Sequence, residues 1–89
     1  GMAKGAAQAL QNAGLYGKIP LVTSDQGQFA LDAIAAGDMA GTAKQDPQEE
    51  GVLAIQTVLK VINGEDVPQW EVLPTEKLTK DNIEGLTGY

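Results

Sequence analysis

The sequence predicts an α/β fold, a partial three-layer sandwich built on a small parallel sheet. Short apolar segments that suit strands alternate with segments whose apolar residues recur every three or four positions. Only a short helical segment separates the two predicted strands, which is the spacing of a right-handed crossover between parallel strands. The fold class follows from these two observations.

The first predicted strand covers Ile19–Asp25, where apolar and β-branched residues indicate a buried strand and Pro20 is tolerated at its start. An Ala-rich helix precedes it over residues 1–14, and Gly14 ends that helix in a left-handed conformation. A second helix is predicted over residues 28–36, with Phe29 on its buried face and Gly37 as its stop. The second strand follows at Met39–Ala43.

The third helix carries the clearest boundary signals. Asp46 is its predicted N-cap, Pro47 its first residue, and Asn63-Gly64 its end. Beyond Gly64 the periodicity is lost. Residues 69–73 suit an extended segment in which Trp70 is expected to pack in a core or hinge, and residues 85–89 suggest a poorly ordered tail.

Composition excludes several function classes. The 89 residues contain no Cys and no His, which removes disulfides, thiolate metal sites and Ser–His or Cys–His catalysis. The net charge is −6 and no Arg is present, so the chain is a poor match for nucleic acid. We expect no enzyme activity, no metal and no cofactor. No signal peptide is recognisable, and no apolar run approaches the length of a membrane span.

Asp25 is the first candidate site residue. Ligands of open α/β sheets bind outside the carboxyl ends of the strands, which is where Asp25 lies. The alternative is structural, because Ser24 or Asp25 would also serve as the N-cap of the helix that follows.

Five motifs in this order resemble the C-terminal part of type I periplasmic binding proteins, the ribose-binding-like group of sugar ABC importers. The matching segments cover most of the chain: Gly1–Ala6, Gly17–Val22 with Ser24-Asp25, Ala30–Met39, Gln45–Pro47 with Val61–Gly64, and Val67-Pro68 with Leu78–Ile83. The chain departs from the family in having Gln26-Gly27 after the acid, where Gly and Thr are common.

The resemblance implies a monosaccharide held between two lobes that close over it and then dock on an ABC permease, in a periplasmic parent protein. It implies that Asp25 and Gln45 are sugar-binding residues. The alternative for Gln45 is a solvated loop residue that holds the neighbouring loop. Residues 1–70 would form part of the C-terminal lobe and residues 71–89 a hinge-crossing and terminal segment, with the N-terminal lobe missing.

The uncovered sheet edge predicts a homodimer or a segment-swapped oligomer. Two other classes remain open. One is the effector-binding core of a LacI-like transcription regulator, although no basic helix-turn-helix is present. The other is a flavodoxin-like small enzyme or a stand-alone oligomerising α/β module without a ligand, although the chain has no Gly-rich phosphate loop.

Overall fold

The computed structural model describes residues 1–89, which form three helices and three short strands, and the strands pair in one sheet. The helices are α1 (Met2–Asn12), α2 (Gln28–Ala36) and α3 (Pro47–Ile62), and the strands are β1 (Val22–Ser24), β2 (Gly41–Ala43) and β3 (Lys77–Leu78). The predicted α/β class is confirmed.

The sheet has the order β1-β2-β3, with a parallel and an antiparallel pair. β1 runs parallel to β2 with Val22 opposite Gly41, as the short crossover predicts. β3 runs antiparallel to β2 with Thr42 opposite Leu78, so the sheet is mixed. This third strand was not predicted, because two residues carry no alternating pattern and their pairing is set by β2.

Helix boundaries follow the predicted signals. Gly14 and Gly37 adopt φ values of 69° and 87° just past α1 and α2, a conformation that glycine reaches without a side-chain clash. At the start of α3 the Asp46 carboxylate accepts a hydrogen bond of 3.0 Å from the Glu49 amide, and Pro47 occupies the first helical position.

The core is small and lies mostly under α2. Ala30, Ala33, Ile34 and Met39 form a buried cluster, and the partly buried Ala3, Leu21, Phe29 and Ile83 pack against it. Phe29 therefore packs against the core from the expected face of α2, although it is only partly buried. Ten of the 89 residues are buried, so this packing supports a limited part of the chain.

The arm, which we define as residues 47–73 with α3 at its centre, extends away from this core. No residue of α3 is buried, and the radius of gyration is 17.1 Å where a compact domain of this length has about 12 Å. Residues 71–73 fold back along α3 and share a cavity with Leu53 and Thr57.

The apolar stripe of α3 is therefore at least half exposed. Its members are Val52, Ile55, Val58, Leu59, Val61 and Ile62, with exposed fractions between 51% and 71%. Trp70 is 78% exposed, so the prediction that it packs in a core or hinge is wrong for this chain. The arm has no surface in this chain to cover its apolar residues.

Two further predictions are corrected. The first strand is three residues long and Val22 is 69% exposed, because a cavity rather than a helix borders that side of all three strands. The predicted poorly ordered tail at residues 85–89 instead makes hydrogen bonds to the loop at Gln26–Gln28.

None of the three helices combines the length and the apolar character that a membrane crossing requires.

Gly41 tests the pairing of β2 with β3. A Cβ at this position would lie 2.7 Å from the Leu78 carbonyl oxygen, a backbone atom that cannot rotate away. We expect Gly41→Ala to lower the free energy of unfolding by about 1–3 kcal/mol, the range for overpacking, in urea titrations followed by circular dichroism.

Gly51→Ala is the matched control, because Gly51 lies in α3 with open space around its Cβ position. This control should raise the free energy of unfolding by about 1 kcal/mol, because Ala has a higher helix propensity than Gly. Equal effects of the two substitutions would contradict the described β2–β3 pairing.

Candidate functional site

The carboxyl ends of β1 and β2 lie side by side and define the candidate site. Ser24 is opposite Ala43 in the parallel register, so the residues that follow each strand leave the sheet at one edge. The Asp25 amide donates a hydrogen bond of 2.9 Å to the Ala43 carbonyl oxygen and extends the ladder by one rung. Both predicted site residues, Asp25 and Gln45, follow these strand ends.

Asp25 has an unusual backbone conformation. Its φ is 89°, the one positive value in the chain outside glycine, and such a conformation costs an L-residue roughly 1–2 kcal/mol, less for Asp and Asn. The Thr42 hydroxyl holds it by donating a hydrogen bond of 2.7 Å to the Asp25 carbonyl oxygen. The exposed Asp25 carboxylate accepts no hydrogen bond within the chain, so strain is kept at a residue whose side chain is available to a ligand.

The capping alternative for Ser24 and Asp25 is wrong. The N-cap of α2 is Gly27, and no side chain accepts a hydrogen bond from the first turn of that helix. The carboxylate of Asp25 therefore has no structural role in starting α2.

Gln45 makes one hydrogen bond, from its Nε2 to the Ser24 Oγ at 3.3 Å. This contact joins the residue after β2 to the last residue of β1 and brings the Gln45 amide beside the residue that precedes Asp25. The side chain is exposed. Both interpretations of Gln45, as a ligand residue and as a residue that holds the neighbouring loop, fit this geometry.

A cavity of about 350 Å³ opens beside Asp25. The residues that line it include Asp25, Ser24, Lys4, Phe29 and Tyr89. The Lys4 Nζ lies 5.8 Å from the centre of the Phe29 ring, a distance typical of a cation–π contact. Gln45 does not line this cavity. Charged acceptors and donors next to ring faces suit a small molecule with several hydroxyl groups.

The sequence alone did not indicate Ser24 as the partner of Gln45, or Tyr89 and Lys4 as cavity residues. Tyr89 reaches the cavity because Thr87–Tyr89 bonds to the loop at Gln26–Gln28. That contact joins segments about 60 residues apart in the sequence, so no local pattern indicates it. No group of His, Cys, Asp or Glu side chains is arranged to hold a metal ion.

Comparisons with known proteins show the family and the fold that this chain resembles. A family model described as a periplasmic binding protein domain matches residues 1–66. An ABC transporter periplasmic solute binding protein from Actinobacillus succinogenes 130z, solved with bound D-allose, superposes with a TM-score of 0.79 at 32% identity. The match covers 96% of this chain and 30% of that one.

Three curated relatives are similar in sequence. They are a xylitol-binding protein of Mycolicibacterium smegmatis (35% identical over 93% of this chain), a putative rhizopine-binding protein of Rhizobium meliloti (35% over 98%) and the D-allose-binding periplasmic protein of Escherichia coli K12 (31% over 89%). This chain spans 24%, 28% and 27% of their respective lengths. Each relative is therefore matched over about a quarter of its sequence.

The strain at Asp25 is testable. Because the carboxylate makes no bond within the chain, a substitution there reports on the backbone. We expect Asp25→Ala to lower the free energy of unfolding by about 1 kcal/mol, since Ala adopts a left-handed conformation less readily, and Asp25→Asn to change it by less than about 0.5 kcal/mol.

Urea unfolding followed by circular dichroism gives both values. Asp66→Ala serves as the control, because Asp66 is an exposed acid in the arm without a positive φ, and its effect should stay below that of Asp25→Ala. An Asp25→Ala substitution that left the free energy of unfolding unchanged would show that position 25 carries no strain.

Proposed function

This chain belongs to the periplasmic binding protein domain family, and from that premise we propose that it carries half of a sugar-binding site of an ABC importer. The observation that supports the proposal most directly is the strained Asp25 with its unpaired carboxylate at the carboxyl edge of the sheet. The similarity to proteins named for xylitol, rhizopine and D-allose binding supports a small polyhydroxylated ligand.

Asp25 is proposed to accept hydrogen bonds from sugar hydroxyl groups. A carboxylate offers two oxygens in one plane, which can accept from two neighbouring hydroxyls at once. Gln45 is proposed to contribute an amide that both donates and accepts. The bond to the Ser24 hydroxyl uses one N–H of the Gln45 amide, so its second N–H and its oxygen are available to a ligand.

The remaining half of the site is proposed to come from a second lobe. The chain spans about 30% of the solved allose-bound protein, and lobe closure requires a ligand that contacts two bodies at once. In the parent protein we place the closed form against an ABC permease outside the cytoplasm. The relatives are binding proteins, which supports recognition without catalysis and does not favour the LacI-like alternative.

The division into a lobe over residues 1–70 and a crossing segment over residues 71–89 remains a proposal. The hydrogen bonds at the base of the arm favour a different boundary. The Lys44 amide donates to the Glu76 carbonyl oxygen at 2.7 Å, and the Thr75 hydroxyl donates to the Lys44 carbonyl oxygen at 2.6 Å. The chain leaves and re-enters the sheet region here, so this pair marks the base of the arm and β3 returns to β2.

For the isolated chain we propose self-association, as a homodimer or by exchange of the arm. The arm exposes six apolar residues of α3, and contiguous apolar surface of this kind is typically covered by another protein surface. In the parent protein the missing lobe is the proposed cover; in the isolated chain a second copy takes its place.

Sugar binding is tested on the chain itself. If a complete site has a Kd on the order of 1 μM, about 8 kcal/mol, half of that free energy leaves a Kd on the order of 1 mM, which amide chemical shifts can measure. We expect D-allose and xylitol to shift the amide resonances of Ser24–Gly27 and Lys44-Gln45. Asp25→Asn and Gln45→Ala should each weaken the response by about tenfold, the loss of roughly one hydrogen bond to a charged or polar partner.

Asp66→Asn is the matched control, because it removes an exposed acid outside the site, and it should leave the titration unchanged. Shifts scattered over the arm instead of the strand ends, or no response to any sugar or polyol, would overturn the proposed function. Calorimetry that gave micromolar binding by this chain would contradict the half-site.

Self-association is tested by charge substitution on α3. Ile55→Glu and Leu59→Glu place a carboxylate on residues 63% and 53% exposed, within the apolar stripe. We expect each to weaken dimerisation by at least about tenfold in sedimentation velocity, because burying an unpaired charge costs several kcal/mol. Gln56→Glu, an exposed position outside the stripe, is the control. A monomer at all concentrations for the unsubstituted chain would refute the proposal.

A further inference from the structure

Residues Thr87–Tyr89, which we name the latch, bond to the loop that follows Asp25. The Gln26 amide donates to the Tyr89 Oη at 3.2 Å, and the Tyr89 amide donates to the Gln26 carbonyl oxygen at 3.3 Å. The Gln26 Nε2 donates to the Thr87 carbonyl oxygen at 2.9 Å. Both backbone groups and the side chain of Gln26 are therefore bound by the latch.

Gly88 brings the latch into close contact with the start of α2. Its amide donates to the Gln28 Oε1 at 3.0 Å. A Cβ on Gly88 would clash with the backbone nitrogen and the Cα of Gln28, so no larger residue fits without moving the latch. The backbones of Gly88 and Gln28 are in close contact here, and backbone atoms cannot rotate aside to make room for a side chain.

Gln26 is buried at 9% exposure, although it lies in a surface loop and its Oε1 has no hydrogen-bond partner. An unpaired buried oxygen costs roughly 1–3 kcal/mol, and the three bonds to the latch offset that cost. The loop has little other support, because α2 starts at Gly27 without a side-chain cap.

The latch also reaches the candidate site. Tyr89 lines the cavity of about 350 Å³ together with Asp25 and Phe29. Asp25 itself is fixed on one side by Ala43 and Thr42, and on the other side it continues into Gln26. Any displacement of Gln26 therefore changes the dihedral angles that aim the Asp25 carboxylate.

We propose that the latch is a positioning element for the ligand loop, in which Gly88 and Tyr89 hold Gln26 so that Asp25 keeps its ligand-facing conformation. The Tyr89 ring adds a wall of the cavity against which the apolar face of a small polyol can rest. This inference rests on the proposed function for its ligand, whereas the latch itself is measurable without one.

Amide hydrogen exchange tests the latch. Tyr89→Phe removes the acceptor of the Gln26 amide, and we expect exchange at Gln26 to accelerate by about tenfold, the effect of losing one hydrogen bond. Tyr16→Phe is the matched control, because the Tyr16 hydroxyl makes no hydrogen bond in the structure, and exchange at Gln26 should stay unchanged. Gly88→Ala should accelerate exchange at Gln26 further, and the control Gly51→Ala should not.

Sugar titrations of the same variants test positioning. Gly88→Ala and Tyr89→Phe should weaken the D-allose response at the Asp25 amide by about tenfold, while amide exchange at the buried core residue Ile34, which a general folding defect would accelerate, stays unchanged. Faster exchange with unchanged sugar affinity would overturn the positioning role, and unchanged exchange would overturn the latch. No sugar response in the unsubstituted chain would refute the proposed function while leaving the exchange result to decide the latch.

Discussion

The hydroxyl of Thr42 connects the parallel strand pair to the candidate site. It accepts a hydrogen bond of 3.0 Å from the Thr23 hydroxyl on β1 and donates one of 2.7 Å to the carbonyl oxygen of Asp25. Thr42 is buried at 4% exposure, so these bonds form away from competing water. This one side chain therefore joins β1, β2 and the backbone of Asp25.

Features set by neighbouring residues could be predicted from the sequence. The start of α3 is an example, because the carboxylate of Asp46 reaches an amide three residues away and Pro47 fits the first helical turn by its own geometry. Gly37 ends α2 for the same local reason. The position of Asp25 at the end of β1 followed from the local apolar and β-branched pattern of Ile19–Asp25.

Features set by distant residues could not be predicted. β3 is strand-like only because Leu78 pairs with Thr42, and Thr87–Tyr89 is ordered by bonds to Gln26 and Gln28. Both segments have weak local propensity and take their conformation from a surface that forms only after folding. The exposure of Trp70 also could not be predicted locally. An aromatic residue is buried only where another part of the chain covers it, and no part of this chain covers Trp70.

The base of the arm links the orientation of the arm to the position of the Gln45 side chain. Gln45 lies between Lys44, which bonds to residues 75 and 76, and Asp46, which caps α3. A rotation of the arm about this base therefore also changes the distance between the Gln45 amide and the Ser24 hydroxyl. The orientation of the arm and the spacing between the Gln45 amide and the Ser24 hydroxyl are thus coupled through residues 44–46. A probe pair placed on the arm and on α2 would read both at once.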